Sequence, residues 1–227
     1  MQTIAEAIEV QTRGVLFDMD GVLISSIGSV ERCWKRWAKL YSVPDAENYQ
    51  VPHGVRAIDT IRTLKPEFDE AAVAEGLRVI EQLEIDDTAD LKVLPGAKAL
   101  LESLPADRWA IVTSATHRLT LARLAAVGLP VPNGLISGDM VKHGKPDPEP
   151  YRRGAELLGL SPADCIVVED APSGVGAGLA AGCRVLGMTT THPAGDLDGA
   201  TWITPTLEQV QAQLCVESVE LHIVTLR

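Results

Sequence analysis

The sequence predicts an α/β protein: a doubly wound, Rossmann-like parallel sheet with an α-helical module inserted after the first core strand. Three observations predict it. An apolar run, Gly14 to Phe17, passes straight into Asp18-Met19-Asp20-Gly21, as a strand buried on both faces does when it ends at the carboxyl edge of a parallel sheet. From Pro95 onward, short apolar runs alternate with helical patterns through short loops. Between these two stretches, residues 27–91 carry helical periodicity and loops only.

In chain order, residues 1–12 form a leader with a short strand around Ile8 to Val10. After the first core strand, Val30, Cys33, Trp34, Trp37 and Leu40 recur at three- and four-residue spacing with charged residues between them, which predicts a helix. Ser29 is placed to cap it, and the tryptophans read as core anchors. Pro44 and Pro52 mark a loop ending in Pro52-His53-Gly54-Val55-Arg56. A helix follows from Arg56 to Leu64, stopped by Pro66. Glu70 to Leu83 reads as another, with Val73, Leu77 and Ile80 on one face, and residues 84–92 read as a linker.

The alternation then gives helix Ala97–Leu104, strand Trp109–Thr113, helix His117–Val127 ended by Gly128, and strand Gly134–Ser137. A loop, Met140 to Pro150, leads into helix Glu149–Leu158. Strand Cys165–Val168 runs into Glu169-Asp170. A glycine-rich helix Ser173–Ala181, strand Arg184–Met188 and a short strand at Trp202-Ile203 follow. The end is expected to be a helix, Leu207 to Leu214, and an alternating tail, Val216 to Leu226, that forms an edge strand beside the leader. The division is therefore a core of residues 1–26 and 92–227 and a helical module of residues 27–91, placed to overhang the carboxyl edge.

Charge narrows the function. With 20 basic and 31 acidic residues the net charge is −11, which disfavours binding of nucleic acid or an anionic membrane. The four cysteines form no C-x-x-C and no zinc-ligand spacing with histidine, and Cys165 and Cys183 sit in apolar runs that suit a reducing compartment. The first ten residues lack the positive and apolar regions of a signal peptide. No apolar stretch approaches the roughly 18 residues of a membrane span. A soluble cytoplasmic protein is expected.

Asp18 and Asp20 stand two apart, so in an extended chain their side chains point the same way and repel unless a cation or proton intervenes. Taken alone, D-x-D-G also fits a solvated surface turn. A calcium loop is disfavoured, because such loops carry a third ligand before the glycine and a later glutamate, whereas here an apolar strand precedes and Val22-Leu23-Ile24 follows. Three other strand ends alter the balance: Thr113-Ser114, the Lys145 loop and Glu169-Asp170 all fall on the same sheet edge. The set fits phosphoryl transfer through a covalent aspartyl phosphate. One carboxylate attacks phosphorus, and a hard divalent cation, magnesium, offsets the repulsion. A hydroxyl and a lysine hold phosphate oxygens, and a second carboxylic acid protonates the leaving alkoxide.

These motifs resemble those of the haloacid dehalogenase-like phosphatase superfamily. The resembling branch carries a helical cap after the first motif, near β-phosphoglucomutase-like proteins and sugar- or polyol-phosphate phosphatases. Gly14 to Leu23 is similar to the first motif, Ile111 to Ser114 to the second, Lys145-Pro146-Asp147-Pro148 to the third and Val167 to Asp170 to the fourth. The resemblance implies that Asp18 is the nucleophile, Asp20 the general acid/base, and Ser114 and Lys145 the phosphate binders. It implies magnesium on Asp18, the backbone carbonyl of Asp20 and Asp170, with Glu169 either supporting these ligands or joining them. His53, Gly54 and Arg56 resemble the substrate-facing segment of the cap. Ala115 and Thr116 follow the second motif at the same edge, with His117 and Arg118 beyond them, and these residues touch substrate or simply begin a helix. The implied substrate is a small phosphorylated metabolite and the implied state a monomer.

Three further activities are weighed. Phosphomutases of this branch carry a histidine about ten residues after the second aspartate, where Val30 stands with Ser29 and Glu31 beside it, so hydrolysis is favoured. Dehalogenases lack the second aspartate, which is present as Asp20. A non-catalytic sugar-phosphate binder would not need the complete set.

Overall fold

The computed structural model describes residues 6–215 and 218–226. Its centre is a six-stranded, all-parallel sheet. After β1 (Glu6–Thr12), β2 (Gly14–Phe17) takes the middle of this sheet, and all four of its residues are buried. Val15 and Phe17 pack into one core cluster and Leu16 into another, on opposite faces. That two-sided burial is why the run reads as continuously apolar.

The chain then crosses β3 (Ile24–Ser25) into three helices and returns through β4 (Lys92–Val93), which pairs antiparallel with β3. The helices are α1 (Ile27–Leu40), α2 (Ala57–Leu64) and α3 (Glu70–Asp86). They share a core of their own around Cys33, Trp34, Trp37, Ile61, Val73 and Ile80. Trp37 is fully buried and its indole Nε1 donates to Gly76 O at 2.9 Å, so both its apolar body and its polar edge are satisfied.

Two local expectations are corrected here. Ser26, not Ser29, occupies the cap of α1; the Ser29 hydroxyl donates instead to Asp87 O at 2.7 Å. Residues 84–86 of the expected linker continue α3, with Glu84 buried within its last turn.

The remainder alternates as expected. It runs through α4 (Ala97–Ser103), β5 (Trp109–Val112), α5 (His117–Val127), β6 (Gly134–Ile136) and α6 (Glu149–Leu157). Then come β7 (Cys165–Glu169), α7 (Pro172–Ala181), β8 (Arg184–Met188) and β9 (Trp202–Thr204). The strand order is β6-β5-β2-β7-β8-β9, so the ends of β5, β2 and β7 stand side by side.

The C-terminal region differs from expectation. Leu207–Gln209 is a single 3₁₀ turn, and the chain then forms β10 (Val210–Leu214) rather than a helix. β11 (Val219–Thr225) lies beside the leader strand β1 but is the middle strand of a separate antiparallel sheet, β1-β11-β10, not its edge. The alternating side chains Val219, Leu221 and Ile223 of β11 pack into the core, and pairing with β11 draws β10 out of helical geometry. Val216, within the expected tail, lies outside the described residues. Among the described residues no helix is long and apolar enough to cross a membrane.

Candidate active site

Asp18 follows directly from β2 and is 4% exposed; its backbone N–H donates to Val168 O at 3.0 Å, which ties it to β7. Its Oδ1 accepts from Lys145 Nζ at 2.9 Å. The same ammonium donates to Glu169 Oε1 at 2.7 Å and to Val112 O at 3.1 Å, so its three protons are all placed. Glu169 is wholly buried and its second oxygen accepts from the N–H groups of Asp170 and Ala171 at 2.9 and 3.2 Å. Tyr151 adds a hydroxyl donor to Oε1 at 2.7 Å. Gly174, in the first turn of α7, makes room for this carboxylate: a Cβ there would lie 1.7 Å from Glu169 Oε1.

Asp170 directly follows the same strand. Thr191 donates to its Oδ2, whereas its Oδ1 is buried without a hydrogen-bond partner. Gly21, at φ 84°, turns the chain so tightly past it that a Cβ would lie 2.0 Å from Asp170 Oδ2. Oxygens of Asp18, Glu169 and Asp170 lie within 4.8 Å of one another.

The electrostatics follow from that crowding. Burial, together with the neighbouring Glu169 and Asp20 carboxylates and against the pull of Lys145, pushes Asp18 up to about 7. Burial and the charges of Glu169 and Asp18 hold Asp170 well above the usual carboxylate range. Burial opposes the charge on Lys145, but Asp18 and Glu169 outweigh it and keep the ammonium above its ordinary value. Three acids thus share one lysine. The orphaned Asp170 oxygen and the all-oxygen donor set fit a hard divalent cation.

A cavity of about 100 Å³ opens above Asp18. Asp18, Asp20, Ser114, Ala115, Thr116 and Asp170 line it from the sheet edge, and His53, Gly54, Trp34, Leu77 and Glu81 line it from the helical module. Lys145 and Glu169 stand behind Asp18, outside its wall. Asp20 is one-quarter exposed; its Oδ2 accepts from Arg123 Nη1 at 2.7 Å, and its Oδ1 has no hydrogen-bond partner. The Ser114 hydroxyl donates to Gly54 O of the module at 2.8 Å. Thr116 caps α5 and donates to Glu81 on α3. His53 faces His192 with ring centroids 6.1 Å apart, and burial followed by the His192 charge holds it below the ordinary histidine range.

Arg56 does not reach this cavity. Its guanidinium is bound to Asp59 at 2.7 and 2.9 Å and donates to Gly138 O and Val141 O at 3.2 and 3.0 Å. It fastens the module to the loop after β6 instead of facing the space over Asp18, which corrects the placement expected from the His53-Gly-x-Arg56 pattern. Arg118 likewise bonds Glu81 and Gln82 of α3 at 2.8 and 2.6 Å.

Sequence reasoning passed over Arg123 and Glu84. Arg123 is 3% exposed and Glu84 6%, and Arg123 Nη2 lies 3.5 Å from Glu84 Oε1, at ion-pair rather than hydrogen-bond distance. A signal was available. Glu84 extends the apolar stripe Val73, Leu77, Ile80, and Arg123 stands four residues after the buried Leu119. A lone charge on each of two apolar stripes marks a pair of buried partners.

A family model described as haloacid dehalogenase-like hydrolase matches residues 12–182. Hexitol phosphatase A of Escherichia coli (strain K12) is 40% identical over 200 residues, covering 87% of this chain and 93% of that protein. Glycerol-1-phosphate phosphohydrolase 2 of Saccharomyces cerevisiae is 34% identical over 202 residues, covering 84% and 79%. Among solved structures, β-phosphoglucomutase from Clostridium difficile superposes with a TM-score of 0.75 at 18% identity, covering 88% of this chain and 93% of that one, a likeness of fold alone.

Proposed function

The chain belongs to the haloacid dehalogenase-like hydrolases, and from that premise we propose that it is a magnesium-dependent phosphatase acting on a small sugar or polyol phosphate monoester through an aspartyl phosphate at Asp18. The observation that carries the reading is the meeting of the Asp18, Glu169 and Asp170 carboxylates, the first two on one buried lysine, beneath a cavity at the sheet edge.

In this reading an Asp18 oxygen forms the new bond to phosphorus while the bond from phosphorus to the substrate oxygen breaks. Asp20, as the acid, gives its proton to the departing alkoxide, which leaves as the alcohol. Asp20, now a carboxylate, takes a proton from water, and the hydroxide attacks the aspartyl phosphate, releasing inorganic phosphate and restoring Asp18. Lys145 holds Asp18 in line and places positive charge beside the transferring group. The Ser114 hydroxyl exchanges its Gly54 carbonyl for a phosphate oxygen. Magnesium held by Asp18, the Asp20 backbone carbonyl and Asp170 would supply the charge that lets a carboxylate approach a phosphate dianion. Glu169 acts as the anchor of Lys145, since both its oxygens are already occupied.

Residues 27–91 serve as a cap over the core of residues 1–26 and 92–227, with His53 and Gly54 facing substrate and Ala115 and Thr116 opposite them. Val30 lines the cavity where mutases of this type carry a histidine, which favours hydrolysis over isomerisation. The buried free thiols Cys33, Cys165 and Cys183 suit the reducing cytoplasm, and the net charge of −11 suits a partner that is a small metabolite, not nucleic acid or membrane. The protein works as a monomer whose cap opens and closes.

The test is a magnesium-supplemented phosphate-release screen over sugar and polyol phosphates. Glucose 1-phosphate is included with a coupled isomerisation readout. Phosphate release that EDTA stops and magnesium restores is expected; isomerisation without phosphate release would overturn the hydrolase reading.

A further inference from the structure

We propose that Arg123 is the positioning residue of Asp20, and that Glu84 of the cap seats it. This rests on the phosphatase reading, in which Asp20 transfers the proton. Arg123 projects from α5 of the core, Glu84 from α3 of the cap, and Asp20 from the turn after β2. The three side chains form a chain: Asp20 Oδ2 at 2.7 Å from Arg123 Nη1, and Glu84 Oε1 at 3.5 Å from Arg123 Nη2. Arg123 and Glu84 are both nearly inaccessible. A guanidinium withdrawn from water costs several kcal/mol unless carboxylates compensate it, so this arrangement needs both partners.

The consequence for Asp20 is specific. One of its oxygens is clamped by a donor that never gives up its proton. The clamped oxygen therefore cannot carry a proton toward Arg123, and the clamp fixes the orientation of the short side chain. The other oxygen, Oδ1, is buried and without a partner, and it belongs to a residue that lines the cavity. Oδ1 is thus the atom left to hand a proton to the leaving alkoxide and take one from water. Because Glu84 comes from the cap, the clamp is complete only while the cap sits on the core.

Leaving groups separate this role from a merely structural one. A polyol alkoxide needs a proton to depart; para-nitrophenolate does not. The experiment measures kcat/KM of the wild-type chain, Arg123→Met and Arg123→Lys on glycerol 1-phosphate and on para-nitrophenyl phosphate, since kcat/KM reports the barrier up to loss of the alcohol. Arg123→Met is expected to lose roughly 100-fold on glycerol 1-phosphate and less than about threefold on the aryl ester. Arg123→Lys, which keeps a single donor, is expected to show the same selectivity at smaller scale, and it carries the test alone if Arg123→Met does not fold. Equal losses on the two substrates, or no loss on either, would overturn the proposal while leaving the phosphatase reading intact. A wild-type chain inactive on both would overturn the two together.

Discussion

Lys145 Nζ lies 2.7 Å from Glu169 Oε1 and 2.9 Å from Asp18 Oδ1, so one ammonium joins a strand-end carboxylate that is fully committed to one that faces the cavity. The difference between the two acids lies in their remaining bonds. Glu169 receives Tyr151 and two backbone N–H groups, whereas Asp18 lines the cavity.

Glu169→Gln therefore removes a counter-charge from a buried cation. The expected loss of stability is about 3–5 kcal/mol, read as a lower denaturant midpoint. Magnesium affinity should fall by about 10- to 100-fold, as for a group that orients ligands from behind. Asp170→Asn should remove measurable magnesium binding by titration calorimetry. Equal collapse in the two variants would make Glu169 a ligand itself.

Arg56→Ala should weaken the seating of the cap and not the recognition of one substrate. Its guanidinium holds the Gly138 and Val141 carbonyls, so kcat/KM is expected to fall by a similar factor for a polyol phosphate and for para-nitrophenyl phosphate. A loss confined to the polyol phosphate would return Arg56 to the substrate-binding role that its sequence context suggests.

Glu84 gives stability a pH dependence. Burial, against the pull of Arg123, raises its carboxyl from 4.5 to about 7 in the folded chain. The fold favours the protonated form, so this contribution is complete below pH 4.5 and is lost as pH rises through 7. Glu84→Gln cannot ionise, so its stability relative to the wild type should rise with pH across that window, whatever the fixed cost of removing the partner of Arg123. Thermal melts from acid to mildly basic pH check this; a Tm difference that does not change with pH would contradict it.

Much of the architecture was legible because buried parallel strands write themselves as unbroken apolar runs. Gly14–Phe17, Trp109–Val112 and Cys165–Val168 are such runs, and the residue after each lands on one edge. β10 was not legible. Leu207, Val210 and Leu214 satisfy a helical period, and only pairing with β11, the strand that follows it, makes the segment a strand. At the site, residue identity and strand-end position brought Asp18, Asp20, Ser114, Lys145 and Asp170 to one place. The direction of a long side chain was beyond such reasoning: Arg56 turns aside to the backbone carbonyls of the loop after β6, and Arg123 turns inward from a helix that looks ordinary.

Asp18→Asn should retain the fold by circular dichroism and release no phosphate from para-nitrophenyl phosphate in the presence of magnesium, because the amide oxygen is a poor nucleophile. Retained turnover would move the nucleophile elsewhere.

The most direct measurement is the mass of the active-site peptide after brief mixing with a polyol phosphate and magnesium, followed by an acid quench that preserves acyl phosphates. A phosphoryl increment is expected on Asp18, absent in Asp18→Asn and decaying on further incubation before the quench. Rapid phosphate release with no increment on that peptide at any time, or an increment on another residue, would contradict it.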